Sequence, residues 1–216
     1  MSDSDNSSSA AEVSADKRLV DLMLFFSDAV FAIVLTLLVL ELRAPEVHGD
    51  AALMDELRAL TPKFVAFAAS FALVSIFWVA HLSITRRLVA FDWTVAWLNL
   101  AFLFTIATMP FVSALMGTHG TTGLAWQIYC GALVAASAVN VVLVLALLRG
   151  RGRLVGGVTW RERIYRIFRA ASPGIAFAAG LWLSLNGENQ LSAVCWLLIP
   201  VLLILARALF APPANG

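Results

Sequence analysis

The chain has 216 residues, of which 61% are hydrophobic and 13% charged, with a formal net charge of +1 and a mean hydropathy of +0.86. A water-soluble domain of this length is closer to half apolar and a quarter charged, so the composition excludes an ordinary aqueous globule and calls for a bilayer. The near-neutral charge gives no field that would draw nucleic acid or an acidic partner.

In chain order, residues 1–17 (MSDSDNSSSAAEVSADK) offer almost nothing to bury and read as a disordered tail. They lack the basic start and adjoining apolar core of a signal peptide. A hydrocarbon core of ~30 Å is spanned by roughly twenty apolar residues of helix. Six stretches qualify: Leu19 to Leu42, Phe64 to Ile84, Trp93 to Met116, Leu124 to Leu148, Ile164 to Leu185 and Leu191 to Phe210. Within lipid the backbone must satisfy its own hydrogen bonds, which makes these helices rather than open strands. The expected fold is therefore all-α and polytopic, with six transmembrane helices over residues 18–211 and a short tail at 212–216. The chain shows no internal repeat.

The connections separate by charge. Lys17, Arg18, Arg86, Arg87, Arg207 and the seven arginines between Arg149 and Arg169 fall on one side, twelve of the fifteen basic residues. The links GTHGTTG and NGENQ carry no Lys or Arg. By the positive-inside rule both termini are then cytoplasmic, an arrangement that needs an even number of spans. The one long outer connection, between the first two spans, holds Leu53, Leu57 and Leu60 at helical spacing, so Ala51 to Leu60 reads as a short surface helix. WRERIYRIFR reads as a basic amphipathic anchor at the inner face, with lipid-headgroup contact as a secondary role. Cys130 and Cys195 lie inside apolar stretches and read as small buried hydrophobes, with neither disulfide nor metal implied.

Ionisable groups within a membrane are costly and are the first candidates for function. Away from span ends only Asp28 and His81 qualify, with Asn99 the next polar group. All three lie at comparable depth from the inner side, so they could meet, an imidazole with an amide or indole supplying the donors that the carboxylate needs. On the first span Ile33, Thr36, Leu37 and Leu40 share one helical face, and Asp28 lies about 140° from Ile33. If Ile33 faced an axis, Asp28 would point back into the subunit. Helical phase leaves open whether the Ile33 face meets water, lipid or protein, and whether Asp28 holds helices together or touches ions. The Thr36 hydroxyl could equally bond a carbonyl one turn back.

FFSDAVFAIVLTLLVLEL resembles the first helix of the transmembrane protein 175 family, a class of endolysosomal and bacterial potassium channels. Phe26, Ser27 and Asp28 match its Phe-Ser-Asp signature, while Trp78 to His81 (Trp-x-x-His) and Trp97 to Leu100 (Trp-x-Asn-Leu, with Asn99) resemble its second and third helices. The family's Arg four residues ahead of the Phe falls at Leu22 here, with Arg18 the nearest basic residue. The resemblance implies a bacterial homologue in the cell membrane, a homotetramer whose first helices line a central pore. It also implies potassium as the permeant ion and no cofactor. By position Ile33 would form an apolar constriction, with Thr36 one turn above and Leu37 and Leu40 as further lining. Phe26, Ser27, Asp28, Trp78, His81, Trp97 and Asn99 would form the motif and helix-packing network. No TVGYG-like carbonyl filter is present. Sequence signatures of an enzyme are missing, and His48, His81 and His119 are too scattered to hold one metal. The competing reading is a proton- or ion-coupled secondary transporter using Asp28 and His81.

Overall fold

The computed structural model describes residues 2–120 and 123–210, with side chains described at 16–120, 123–150 and 154–210. The described residues form α1 (Ser2–Leu37), a 3-10 turn (Leu38–Glu41), α2 (Asp50–Ala59), α3 (Thr61–Thr85), α4 (Trp93–Ala107), α5 (Met109–His119) and α6 (Gly123–Leu147). There follow α7 (Arg149–Gly152), a 3-10 turn (Arg153–Val155), α8 (Trp160–Leu185), α9 (Asn189–Ala193), a 3-10 turn (Cys195–Leu197) and α10 (Leu198–Phe210). The backbone of residues 2–17, expected as a disordered tail, forms the helical start of α1, and the tail expected at 212–216 lies outside the described residues.

Five segments are long and apolar enough to cross a membrane: Asp16–Glu41, Thr61–Thr85, Trp93–His119, Gly123–Leu147 and Trp160–Leu185. The chain is a multi-pass membrane protein. The sixth expected span differs. Over Asn189–Phe210 the helix is interrupted at Val194 and the apolar part reduces to Cys195–Phe210. The interruption lies where the segment presses on α8. Ser192 Oγ donates to the Gly180 carbonyl at 2.6 Å, and a Cβ on Gly180 would collide with Cys195.

Helix ends follow local chemistry. Asp92 caps α4 by accepting from the Val95 N–H at 2.9 Å, and Thr159 with Glu162 forms a capping box on α8. The third span breaks at Thr108, because Pro110 removes the N–H that would bond one turn back. Hydroxyls cover carbonyls on the approach to the break, Thr105 on Phe102 at 2.6 Å and Thr108 on Thr105 at 2.7 Å. The surface helix expected at Ala51 to Leu60 forms as α2 and buries none of its residues.

The core sits between α3, α4, α6 and α8, filled by Phe77, Phe102, Ile106, Tyr129, Leu133 and Phe177. α6 and α8 pack most closely, and α1 lies to one side against α3 and α4. Cys130 and Cys195 are buried free thiols. Where α6 meets α8, Ser137 Oγ donates to the Ala170 carbonyl at 2.7 Å. A Cβ on Gly174 would stand 2.6 Å from Ser137 Oγ and 2.7 Å from its Cβ. Gly174→Ala should therefore lower stability by about 1–3 kcal/mol, the cost of overpacking, despite alanine's better helix propensity. Thermal unfolding in detergent checks this, and adding Ser137→Gly should recover part of the loss.

Candidate functional site

α1 is fixed to its own subunit at two points. Ser27 is buried; its hydroxyl donates to the Met23 carbonyl at 2.8 Å and accepts from Asn99 Nδ2 of α4 at 2.8 Å. One residue on, the Asp28 carboxylate accepts from the Trp78 indole N–H of α3 at 2.9 Å, on the rim of the same contact. Successive residues of α1 thus bond to two different helices. Above them Phe31, Val34 and Leu38 continue the buried face.

The polar triad of Asp28, His81 and Asn99 does not assemble. Asn99 donates to Ser27, Trp78 supplies the donor to Asp28, and neither ring nitrogen of His81 has a hydrogen-bond partner among the described residues. The imidazole lies instead between aromatic rings, its centroid 5.5 Å from Phe102 and 5.9 Å from Phe31. Sequence gave depth but no azimuth: His81 shares the buried face of α3 with Val74 and Phe77, whereas Trp78 is turned toward α1. Asp28 is exposed in the subunit rather than pointing into it, since the inward direction belongs to Ser27 and Phe31. Phe26 and Trp97 are also exposed, the latter at 69%, away from the buried contacts that Ser27 and Asn99 make.

Ile33, Thr36, Leu37 and Leu40 all lie on the exposed side of α1 and its 3-10 extension, Ile33 at 57% and Leu40 at 65%. The Thr36 hydroxyl donates to the Ile33 carbonyl at 2.8 Å. With its proton turned to the backbone, the oxygen's free lone pairs remain available to a cation. Only 22% of the most apolar window of this span is buried, against 33–50% for the other four. Among the described residues no cluster of three or more His, Cys, Asp and Glu could hold a metal.

Sequence reasoning treated the arginines of the inner face as anchors and missed their convergence. Arg87, Glu162, Arg166 and Arg169 meet around one cavity with Asn140. The local signal was the Glu162–Arg166 pair at i,i+4, but the approach of Arg87 and Asn140 depends on tertiary packing.

Residues 23–110 match the family described as the endosomal/lysosomal potassium channel TMEM175. A potassium channel of Streptomyces collinus is 34% identical over 94 residues, 44% of this chain and 46% of that protein. The endosomal/lysosomal proton channel TMEM175 of Danio rerio is 27% identical over 124 residues, 57% of this chain and 24% of that protein. The chain thus spans less than half the length of these relatives. A crystal structure of a lysosomal potassium-selective channel TMEM175 homolog from Chamaesiphon minutus superposes with a TM-score of 0.73 at 26% identity, over 88% of this chain and 99% of that one.

Two outcomes test the local geometry. Trp78→Phe, which removes the indole N–H, should cost about 1 kcal/mol, and its loss should not add to that of Asp28→Ala in a double-mutant cycle read by thermal unfolding in detergent. His81→Leu should change stability by less than about 1.5 kcal/mol, since it replaces an unpartnered ring with an apolar one.

Proposed function

We propose that the chain is a TMEM175-type potassium-permeable cation channel, supported by the family match over residues 23–110 and the likeness to the Chamaesiphon minutus channel. It assembles as a homotetramer around the first helices, in the cell membrane, with both termini in the cytoplasm. The reading rests on the exposed face formed by Ile33, Thr36, Leu37 and Leu40 on the least buried of the five long spans. Four such faces around an axis would make rings of apolar side chains that exclude water when narrow and admit hydrated cations when spread. The Thr36 oxygens, one turn from the Ile33 ring, would offer a partly dehydrated ion a modest substitute for water.

A route within one subunit is disfavoured by packing, since Phe31, Phe77, Phe102, Ile106 and Tyr129 are fully buried in its interior. Close-packed side chains leave no channel for ions, so the path belongs between subunits. The same packing weighs against a coupled transporter built on Asp28 and His81. His81 is enclosed among aromatic rings and Asp28 is engaged by Trp78, with no shared hydrogen bond to carry a proton.

Reconstitution into liposomes with a potassium gradient tests the proposal. Rapid valinomycin-independent flux is expected. Ile33→Ala should raise leak and admit larger cations, and Thr36→Ala should shift the potassium-to-sodium permeability ratio by up to about tenfold, the scale of one lost polar contact per ion. Flux of protons without potassium, followed with an internal pH dye, would instead reassign the permeant ion. Flux indifferent to both substitutions would remove the pore from this face.

A further inference from the structure

The cavity that gathers Arg87, Arg166 and Arg169 has a volume of about 210 Å³ and lies where α3 ends and α8 begins, with α6 as its floor. A water occupies about 30 Å³ of liquid, so the space holds several waters or one tetrahedral oxyanion. Three arginines line it, with Glu162 the one acidic residue among its lining.

The ion pairs leave this charge only partly matched. Glu162 Oε1 lies 3.3 Å from Arg87 Nη1 and 4.0 Å from Arg166 Nη2, and Arg166 Nη1 donates to the Ser83 carbonyl at 3.2 Å. Arg169 is half-buried and makes no hydrogen bond or ion pair to any described residue. A second, independent sign of an absent partner comes from the floor. Asn140 is 2% exposed and its Oδ1 has no hydrogen-bond partner. A 180° turn of this amide exchanges oxygen for nitrogen with the same shape, so the side chain can present N–H groups to an acceptor. A half-buried cation and a buried amide oxygen without a partner are each costly unless something outside the chain, with the amide turned where needed, satisfies them.

We infer that this cavity is a binding site for a phosphate group, carried either by the headgroup of an anionic lipid in the adjoining leaflet or by a free phosphate. Guanidinium forks match phosphate oxygens bidentately and remain charged at any relevant pH. The cavity lies at the end of a long apolar span, and basic pockets between helices at span ends suit lipid phosphates. Ser83 belongs to α3 and Arg87 to the turn just after it, Asn140 to α6 and Arg166 and Arg169 to α8, so an occupant would tie three helices together. This inference does not depend on the permeant ion or on the number of subunits.

The test uses the full-length protein in neutral detergent, with thermal unfolding read against added phosphatidylglycerol, phosphatidylcholine or inorganic phosphate. A rise in Tm with phosphatidylglycerol but not with phosphatidylcholine or phosphate, half-maximal at about tenfold higher lipid in Arg169→Gln, supports a lipid headgroup. The same pattern with inorganic phosphate supports a free anion. Arg207→Gln, an exposed basic residue outside the cavity, should leave either response unchanged. Arg169→Gln removes no described contact and should fold, and Asn140→Leu provides a second variant that should weaken the response. The proposal is overturned if neither phosphate source raises Tm, or if the rise is equal in Arg169→Gln, Asn140→Leu and the unaltered protein.

Discussion

The rotation of the first helix about its own axis is the constraint on which the rest depends, and two hydrogen bonds set it. A polar group facing the hydrocarbon without a partner costs several kcal/mol, so Ser27 and Asp28 must turn toward Asn99 and Trp78. Taking Ser27 as zero and about 100° per residue, Phe31, Val34 and Leu38 fall within about 40° of it. Ile33, Thr36 and Leu40 fall 120–180° away by the same arithmetic. The buried and exposed classes follow these angles. An apolar helix has no hydrophobic reason to choose its azimuth in lipid. The polar pair supplies that choice, and the face offered to neighbours is its consequence.

Elsewhere the same constraint explains irregularities. The third span breaks where Pro110 removes a donor, and Thr105 and Thr108 turn their hydroxyls onto nearby carbonyls. Pro173 likewise removes a donor inside α8, which continues through it, close to the point where Ser137 reaches across from α6 to the Ala170 carbonyl. Small residues make these crossings feasible: Gly174 and Gly180 let Ser137 and Cys195 approach the α8 backbone closely. The broken sixth segment is the result of one such approach, since Ser192 binds the Gly180 carbonyl.

Much of this was legible in the sequence because hydropathy, charge asymmetry and helical period are local properties. The five long spans, the surface helix α2 and the common face of Ile33, Thr36, Leu37 and Leu40 all follow from them. Azimuth between helices is not local. Nothing in the run from Ser75 to His81 says that Trp78, rather than His81, turns toward Asp28, because both lie at suitable depth and only packing of α3 against α4 decides. Similarly, Arg87 and Asn140 are 53 residues apart in the chain, and only the closeness of α6 and α8 to the end of α3 brings them to one cavity. The interruption at Val194 is not legible in the sequence because apolar composition there is continuous and its cause lies on another helix.

The position held by Leu22 gains meaning from the same angular reference. It lies about 140° from Ser27, level with Leu40 and close to Ile33, and it is exposed. The family resemblance puts an arginine at this position, where it would stand on the outward face, toward the basic end of α1 and far from Asn99 and Trp78. In this chain the outward stripe instead runs apolar from Leu22 through Phe26, Ile33, Leu37 and Leu40. If that stripe faces the axis of the proposed homotetramer, the leucine leaves out a ring of four positive charges at that mouth, and with it a barrier that would oppose cation entry. Arg18, one turn earlier and also exposed, keeps positive charge at the membrane boundary, where headgroups and water screen it. The substitution thus leaves the packing of α1 untouched, because packing is decided on the opposite face, and alters only the electrostatics of the face turned outward.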